Sequence, residues 1–376
     1  MRSSTKKARR DYTGQSIFVG IDMHLKSWTV SPLSGDEKPK AFHMSEPSTK
    51  KVDTHLKERY PGGTYIVIYE AGYCGYWAQR EFEKLGIRCI VTHAADIPTT
   101  EKEKRMKNDK RDAKKLARCL KTGEYTKVYV PTEAQEYARD LVRERYDLAA
   151  KKRSQQARIK MYLHKKGIEL PKTEQMQHWS KRFMAWLYNI EQERSDRALA
   201  SKLRHLQCLR DLEAEATREV RKLAKTDAYA EDVRYLTSAP GIGLLTSMLL
   251  ITELIDIHRF KTLDQICSFI GLCPSTNSSG DKERVGKMSK RGNTRARCAI
   301  IESAWIAKRY DPVLGQAYDE WKIKTTKSNK AIVKVARKLL NRLRFVWKNK
   351  TDYEKGYSGQ RRADDSCSNI GATSNG

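Results

Sequence analysis

The run Tyr65–Tyr69, YIVIY, is the stretch that most narrows what this chain can fold into. Its consecutive β-branched and aromatic residues leave no polar side for water, which describes a strand in the middle of a sheet covered on both faces. Such a strand needs neighbours. Ser16–Ile21 (SIFVGI) and Ser27–Leu33 are two β-rich runs joined by a short polar link, and Ser34-Gly35-Asp36 is turn chemistry. Lys40–Met44 then reads as a third strand, completing an antiparallel meander. Leu56 belongs to a short helix broken by Pro61-Gly62-Gly63; Trp77, Phe82 and Leu85, ended by Gly86, mark another helix, and Arg88–Thr92 a last strand. The order is three strands, helix, strand, helix, strand.

Acids stand at the ends of these elements. Asp22 follows the first strand and Glu70 follows YIVIY directly. Beyond Pro98 the chain turns strongly charged, and Ala113, Leu116, Ala117 and Leu120 space out a helix whose start carries Asp109 and Asp112, three residues apart and able to share a face. Four carboxylates brought together repel one another unless a divalent cation neutralises them, and Mg²⁺ suits an all-oxygen site. The plainer alternative is that each acid is a loop residue, a helix cap or a partner for the neighbouring lysines and arginines. Strand order favours the cluster by fold analogy, because in an RNase H-like arrangement acids from the first and fourth strands and a late helix meet.

From Thr132 to Thr226 glycine is nearly absent, and spaced apolar residues alternate with charge, as in Leu199, Leu203, Leu206, Leu209, Ala216, Val220 and Leu223. This segment is helical, and Gly167 and Pro171 bend it into a hairpin. It suits dimerisation, a spacer or a basic surface. Further on, Pro240-Gly241-Ile242-Gly243 joins two apolar helices and resembles a helix-hairpin-helix element, in which backbone amides take a phosphate. The alternative is that Gly241 and Gly243 only let two helices approach. Phe260–Leu272 is an amphipathic helix leading into Gly271–Arg297, a basic loop holding Ser278, Ser279, Lys282, Arg284, Lys287, Lys290, Arg291, Arg295 and Arg297. It has almost nothing to bury and suits a polyanion lying across a mobile segment. Ala299–Ala307 and Ala331–Trp347 are further helices.

The chain has 376 residues, 39% of them hydrophobic, enough for real cores in more than one domain. Its formal net charge of +28 points to nucleic acid, and the surplus is densest in residues 282–350, with 20 Lys+Arg against five Asp+Glu. No apolar run approaches the roughly 18 to 20 residues of a membrane span. The eight cysteines form no CxxC pair and have no His partner at zinc spacing, so reduced cytoplasmic thiols are expected. The expected boundaries are a basic arm over 1–15, a strand-rich domain over 16–131, a helical connector over 132–228, a mainly helical domain over 229–350 and a disordered tail over 351–376.

In order, FVGIDMH with Asp22, VIYEAGY with Glu70, NDKRDAKKLA with Asp109 and Asp112, SAPGIG, RFKTLDQICSFIGLCP, SSG and GKMSKRGNTRAR resemble the DEDD transposases of bacterial insertion sequences, relatives of the Piv and MooV invertases and bridge-RNA-guided recombinases. The resemblance covers roughly residues 16–350. It implies an RNase H-like (RuvC-like) N-terminal domain holding Mg²⁺ on the four acids, a coiled-coil arm, and a C-terminal domain with a nucleophilic serine. That serine is Ser279, immediately before Gly280, with the adjacent Ser278 as the alternative; many relatives have a second glycine where this chain has Asp281. The implied partners are donor and target DNA, a structured noncoding guide RNA, and further copies of the chain in a dimer or tetramer. A RuvC-like nuclease using metal-activated water and a non-catalytic nucleic-acid-binding protein are the rival expectations.

Overall fold

The computed structural model describes residues 10–35, 39–98, 108–171, 178–279, 282–288, 292–325 and 327–356. Most of the expected basic arm, most of the expected disordered tail, Gly280, Asp281, Lys290 and Arg291 lie outside the described residues. Those residues contain a five-stranded sheet, a two-stranded hairpin and twelve α-helices, divided between two compact units, 1–130 and 131–376.

The first unit is built on the sheet. Strand β1 (Ser16–Met23) pairs antiparallel with β2 (Ser27–Ser34), which pairs antiparallel with β3 (Phe42–Ser45), while β4 (Thr64–Glu70) and β5 (Arg88–Thr92) add in parallel on the other side. The order is β3-β2-β1-β4-β5. YIVIY lies between two strands, with Val67, Ile68 and Tyr69 fully buried. Because side chains alternate along a strand, the two faces have separate cores. Ile17, Val19, Ile21, Val67 and Tyr69 pack with Val52 and Leu56 of α1 (Thr49–Arg59) and with Ala78 and Phe82 of α2 (Trp77–Lys84). Phe18, Ile66, Ile68 and Ile90 face Leu116, Cys119 and Leu120 of α3 (Asp109–Thr122).

The second unit opens on α4 (Glu133–Lys165), whose start carries a reciprocal cap between Thr132 and Gln135. Its 33 residues span about 50 Å at 1.5 Å per residue. It ends just before Gly167, which takes a positive φ of 67°. Helix α5 (Lys181–Glu193) follows, then α6 (Arg197–Leu223). Ile159 and Leu163 of α4 share a core with Leu199, Leu203 and Leu206, Leu148 with Leu209 and Ala216, and Val142 and Val220 meet in a third. Contacts in that sequence make α4 and α6 an antiparallel pair. Arg145 and Lys152 both reach the buried Glu213 across it.

The third of those cores is the largest, and it joins the base of that pair to α7 (Ala230–Thr237), α8 (Leu244–Leu254), α9 (Leu263–Ile270), α10 (Thr294–Tyr310), α11 (Pro312–Thr325) and α12 (Ser328–Asn349). Between α9 and α10 the structure departs from the expected loop. Residues Pro274–Ser279 (β6) and Lys282–Met288 (β7) pair antiparallel, with a register irregularity between Pro274 and Thr276. The Ser, Gly and Lys content that reads as coil conceals a ladder of Thr276 against Val285 and Asn277 against Arg284. Ser279, the last residue of β6, pairs with Lys282, the first of β7.

Candidate active site

The acid site lies at the ends of β1 and β4, and the sheet register explains it. Ile21 is the last β1 residue paired with β4, opposite Tyr69, so Asp22 and Glu70 are the next couple along two parallel strands. Phe18, Gly20 and Asp22 alternate onto the α3 face, as do Ile66, Ile68 and Glu70. Asp109 and Asp112 occupy the first turn of α3, begun by an Asn108 cap, where negative charge also favours the helix dipole.

Close approach of α3 depends on Gly20. A Cβ there would lie 2.1 Å from the Ala113 carbonyl oxygen and 2.5 Å from the Ala117 nitrogen. Glycine therefore lets the helix backbone settle directly onto β1, which brings its first turn to the strand end. Asp22, His24 and Asp109 then offer ligand atoms all within 4.8 Å of one another, the one such group among the described residues. The His24 Nε2 stands 3.3 Å from Asp22 Oδ2 and 3.7 Å from Asp109 Oδ2. Glu70 and Asp112 lie outside that set, although the Asp112 charge is felt at Asp22. Burial pushes the Asp22 carboxyl above its ordinary range, the imidazole of His24 opposes that, and the charges of Asp109 and Asp112 add to the rise.

The donors fit a divalent cation. Crowded carboxylates on one half-buried acid are a charge arrangement that a cation relieves, and Asp22 and Asp109 are hard oxygen ligands of the kind Mg²⁺ takes. The imidazole of His24 is the addition that sequence reasoning missed. Its signal was the Asp-x-His spacing in FVGIDMH: residues two apart at a strand end share a face.

The described serine segment is pinned at its base. The Asn293 amide donates to the Phe269 carbonyl at 2.9 Å and Arg297 Nη1 to the Gly271 carbonyl at 3.3 Å, tying the start of α10 to the end of α9. Between them, Ser278 and Ser279 are the last residues of β6, opposite Glu283 and Lys282 in register. Lys282, Arg284 and Lys287 lie along β7.

The remaining predicted nucleic-acid contacts divide by partner. Arg295 donates three times to Asp147, at 2.7, 2.8 and 3.2 Å, and Arg297 also reaches Thr294 Oγ1, so both arginines have structural partners. Gly241, with φ +82°, is needed by packing: a Cβ would meet the Ser303 carbonyl at 2.5 Å. Gly243 is exposed at the start of α8, no side chain caps that end, and its Cβ position is open. The amides of that end are the ones available to an anion.

Two family models match the chain. One, described as Transposase IS116/IS110/IS902 family, matches residues 233–319, and the other, a DEDD transposase model of IS110 type, matches residues 19–166. A putative transposase y4qE of Sinorhizobium fredii is 30% identical over 313 residues, covering 82% of this chain and 76% of that protein. A second from the same organism, putative transposase y4rJ, is 28% identical over 360 residues, covering 86% and 90%. The transposase for insertion sequence element IS1533 of Leptospira borgpetersenii is 26% identical over 303 residues, covering 77% and 85%.

Proposed function

The chain belongs to the IS110 family of insertion-sequence transposases, and from that premise we propose that it is a guide-RNA-directed recombinase that exchanges DNA strands through a covalent phosphoserine. The observation that carries this reading is the convergence of Asp22 and Asp109, with Glu70 at the adjacent strand end and Asp112 on the same helix turn. In this reading the first unit is RNase H-like. Its acids hold Mg²⁺, which supplies polarisation of a phosphate oxygen and a lower cost for an ionised serine hydroxyl.

Ser279, or Ser278 beside it, provides the attacking oxygen. Its Oγ forms a bond to phosphorus, the bond from phosphorus to the departing deoxyribose oxygen breaks, and that oxygen leaves as a free hydroxyl after taking a proton. The serine proton passes to base or solvent. Phosphodiester energy is kept in the serine ester, so rejoining to a second strand needs no nucleotide cofactor. Lys287, Lys290 and Arg291 balance the extra negative charge of the pentavalent phosphate, and Lys282, Arg284, Arg295, Arg297 and the backbone at Gly241 and Gly243 hold strands by their phosphates. Base pairing by a structured RNA, rather than side chains, selects donor and target, and the working form is a dimer or tetramer.

The test is direct. Protein, co-purified RNA and both DNAs are incubated with Mg²⁺ and quenched in denaturant, and a protein-linked strand is sought. A DNA adduct lost in Ser279→Ala or in Ser278→Ala supports the reading. Free ends with no adduct, insensitive to both substitutions, replace it with a metal-dependent nuclease.

A further inference from the structure

Among its described residues the first unit leaves four large apolar side chains exposed: Leu25 at 82%, Tyr73 at 66%, Trp77 at 49% and Tyr129 at 40%. Scattered singly, such residues need no explanation. Two of these four, Leu25 and Tyr73, however, stand beside the acid site. The Tyr73 hydroxyl donates to the Met23 carbonyl at 2.8 Å, in the residue between Asp22 and His24. Trp77 belongs elsewhere: its ring lies 5.9 Å from that of Trp28, which packs with Met23 in the core on the α1–α2 face, opposite the face that Asp22 joins. Leu25 sits in the tight β1–β2 turn closed by the His24 amide on the Ser27 carbonyl, next to the exposed Lys26.

Tyr73 is the informative member. Its hydroxyl is anchored, yet most of the side chain faces solvent. A ring held at one end with its faces open forms a planar platform that loses little freedom when something lies on it. We infer that Leu25 and Tyr73 form a lip on the Asp22 site that stacks an unpaired DNA base beside the phosphate handled there, with Lys26 contacting the backbone. The occupant follows from charge: the chain carries +28, and an exposed ring near Lys26 fits a single strand, whose every base offers a π face. The inference rests on the proposed reading for the phosphate beside the lip.

The experiment separates the two. Full-length protein is titrated into a single-stranded DNA carrying 2-aminopurine, in EDTA, so neither metal nor serine chemistry contributes. Wild type quenches the probe; Tyr73→Ala loses the quench and binds roughly 5- to 150-fold more weakly. Tyr73→Phe, which keeps the ring but not the bond to Met23, retains most of the quench, and Tyr129→Ala matches wild type. The inference is overturned if Tyr73→Ala quenches like wild type, if Tyr129→Ala weakens binding as much, or if a matched RNA is bound and quenched more tightly than the DNA. A dimer that dissociates on Tyr73→Ala while the quench persists assigns the lip to a second copy and overturns it also. Failure here with the serine adduct intact leaves the proposed reaction standing; loss of the adduct with the quench intact leaves the lip.

Discussion

Asp311 and Asp22 are both taken from water, with opposite results. Asp311 is fully buried, and burial alone raises a carboxyl, but it accepts from Tyr353, from Arg342 and from the Leu314 and Val313 amides. The balance holds it below the ordinary carboxylate range. A depressed folded value means stabilisation that is complete above the unfolded value near 3.9 and is lost as pH falls through the folded one. Asp311→Asn should therefore cost stability at pH 7, with the gap to wild type closing only in the acid range, below about pH 4; thermal unfolding across pH checks this. Asp311→Ala leaves Arg342 sequestered without its ion and should cost about 3–5 kcal/mol. Asp22 is raised instead, so its ionisation at neutral pH opposes folding. Asp22→Asn is expected to leave the metal-free protein as stable as wild type or more so. It should also abolish the stabilisation by Mg²⁺, which at a hundred times its Kd is about 2.7 kcal/mol for one site. Equal stabilisation of wild type and variant by Mg²⁺ would remove Asp22 from the metal site. Asp22 and Glu70 are legible as acids at strand ends and Asp109 and Asp112 as acids at a helix start; His24 requires noticing that a strand end carries its period of two one step further.

Helix α3 shows what an element transmits. Its spacing of Ala113, Leu116, Ala117 and Leu120 was readable as an amphipathic helix, and all four are buried against the sheet. What spacing could not reveal is that Gly20, on another element, sets how close that helix comes. Gly20→Ala should push α3 outward, cost about 1–3 kcal/mol as overpacking does, and separate Asp109 from Asp22, so that Mg²⁺ stabilisation falls together with strand transfer. The turn between α7 and α8 offers a paired test. Gly241→Ala carries a Cβ into the Ser303 carbonyl at a positive φ and should lower the melting temperature, whereas Gly243→Ala has open space and should keep the fold, showing any deficit in DNA affinity alone. The β6–β7 hairpin was hidden because its strands hold serine, asparagine and lysine rather than an apolar alternation. The Arg295–Asp147 pair joins residues 148 apart in the chain, a distance over which composition counts the cation but not its partner.

Over the whole molecule the net charge of +28 overstates the footprint available to DNA, because structure has already used some of it. On α12 the arginines are engaged by the protein itself: Arg337 on Asp264, Arg342 on Asp311 and Tyr353, and Arg344 on the Phe260 and Lys261 carbonyls. This division follows from side-chain chemistry, since a planar guanidinium satisfies several fixed acceptors at once while an ammonium stays hydrated. Lys330, Lys338 and Lys348 of the same helix fall along one stripe at helical spacing, with the exposed Phe345 on it. If the polyanion lies along that stripe, neutralising it should alter binding without altering folding. The triple variant Lys330→Gln, Lys338→Gln and Lys348→Gln is expected to melt like wild type. In plots of log affinity for duplex DNA against log salt concentration, its slope should be shallower by about 0.9 for each phosphate contact removed. Arg342→Gln should show the reverse, a lowered melting temperature and, at temperatures where it remains folded, an unchanged slope. Equal slopes for wild type and the lysine variant would move the footprint off α12 and leave β7, with Lys282, Arg284 and Lys287, to carry it.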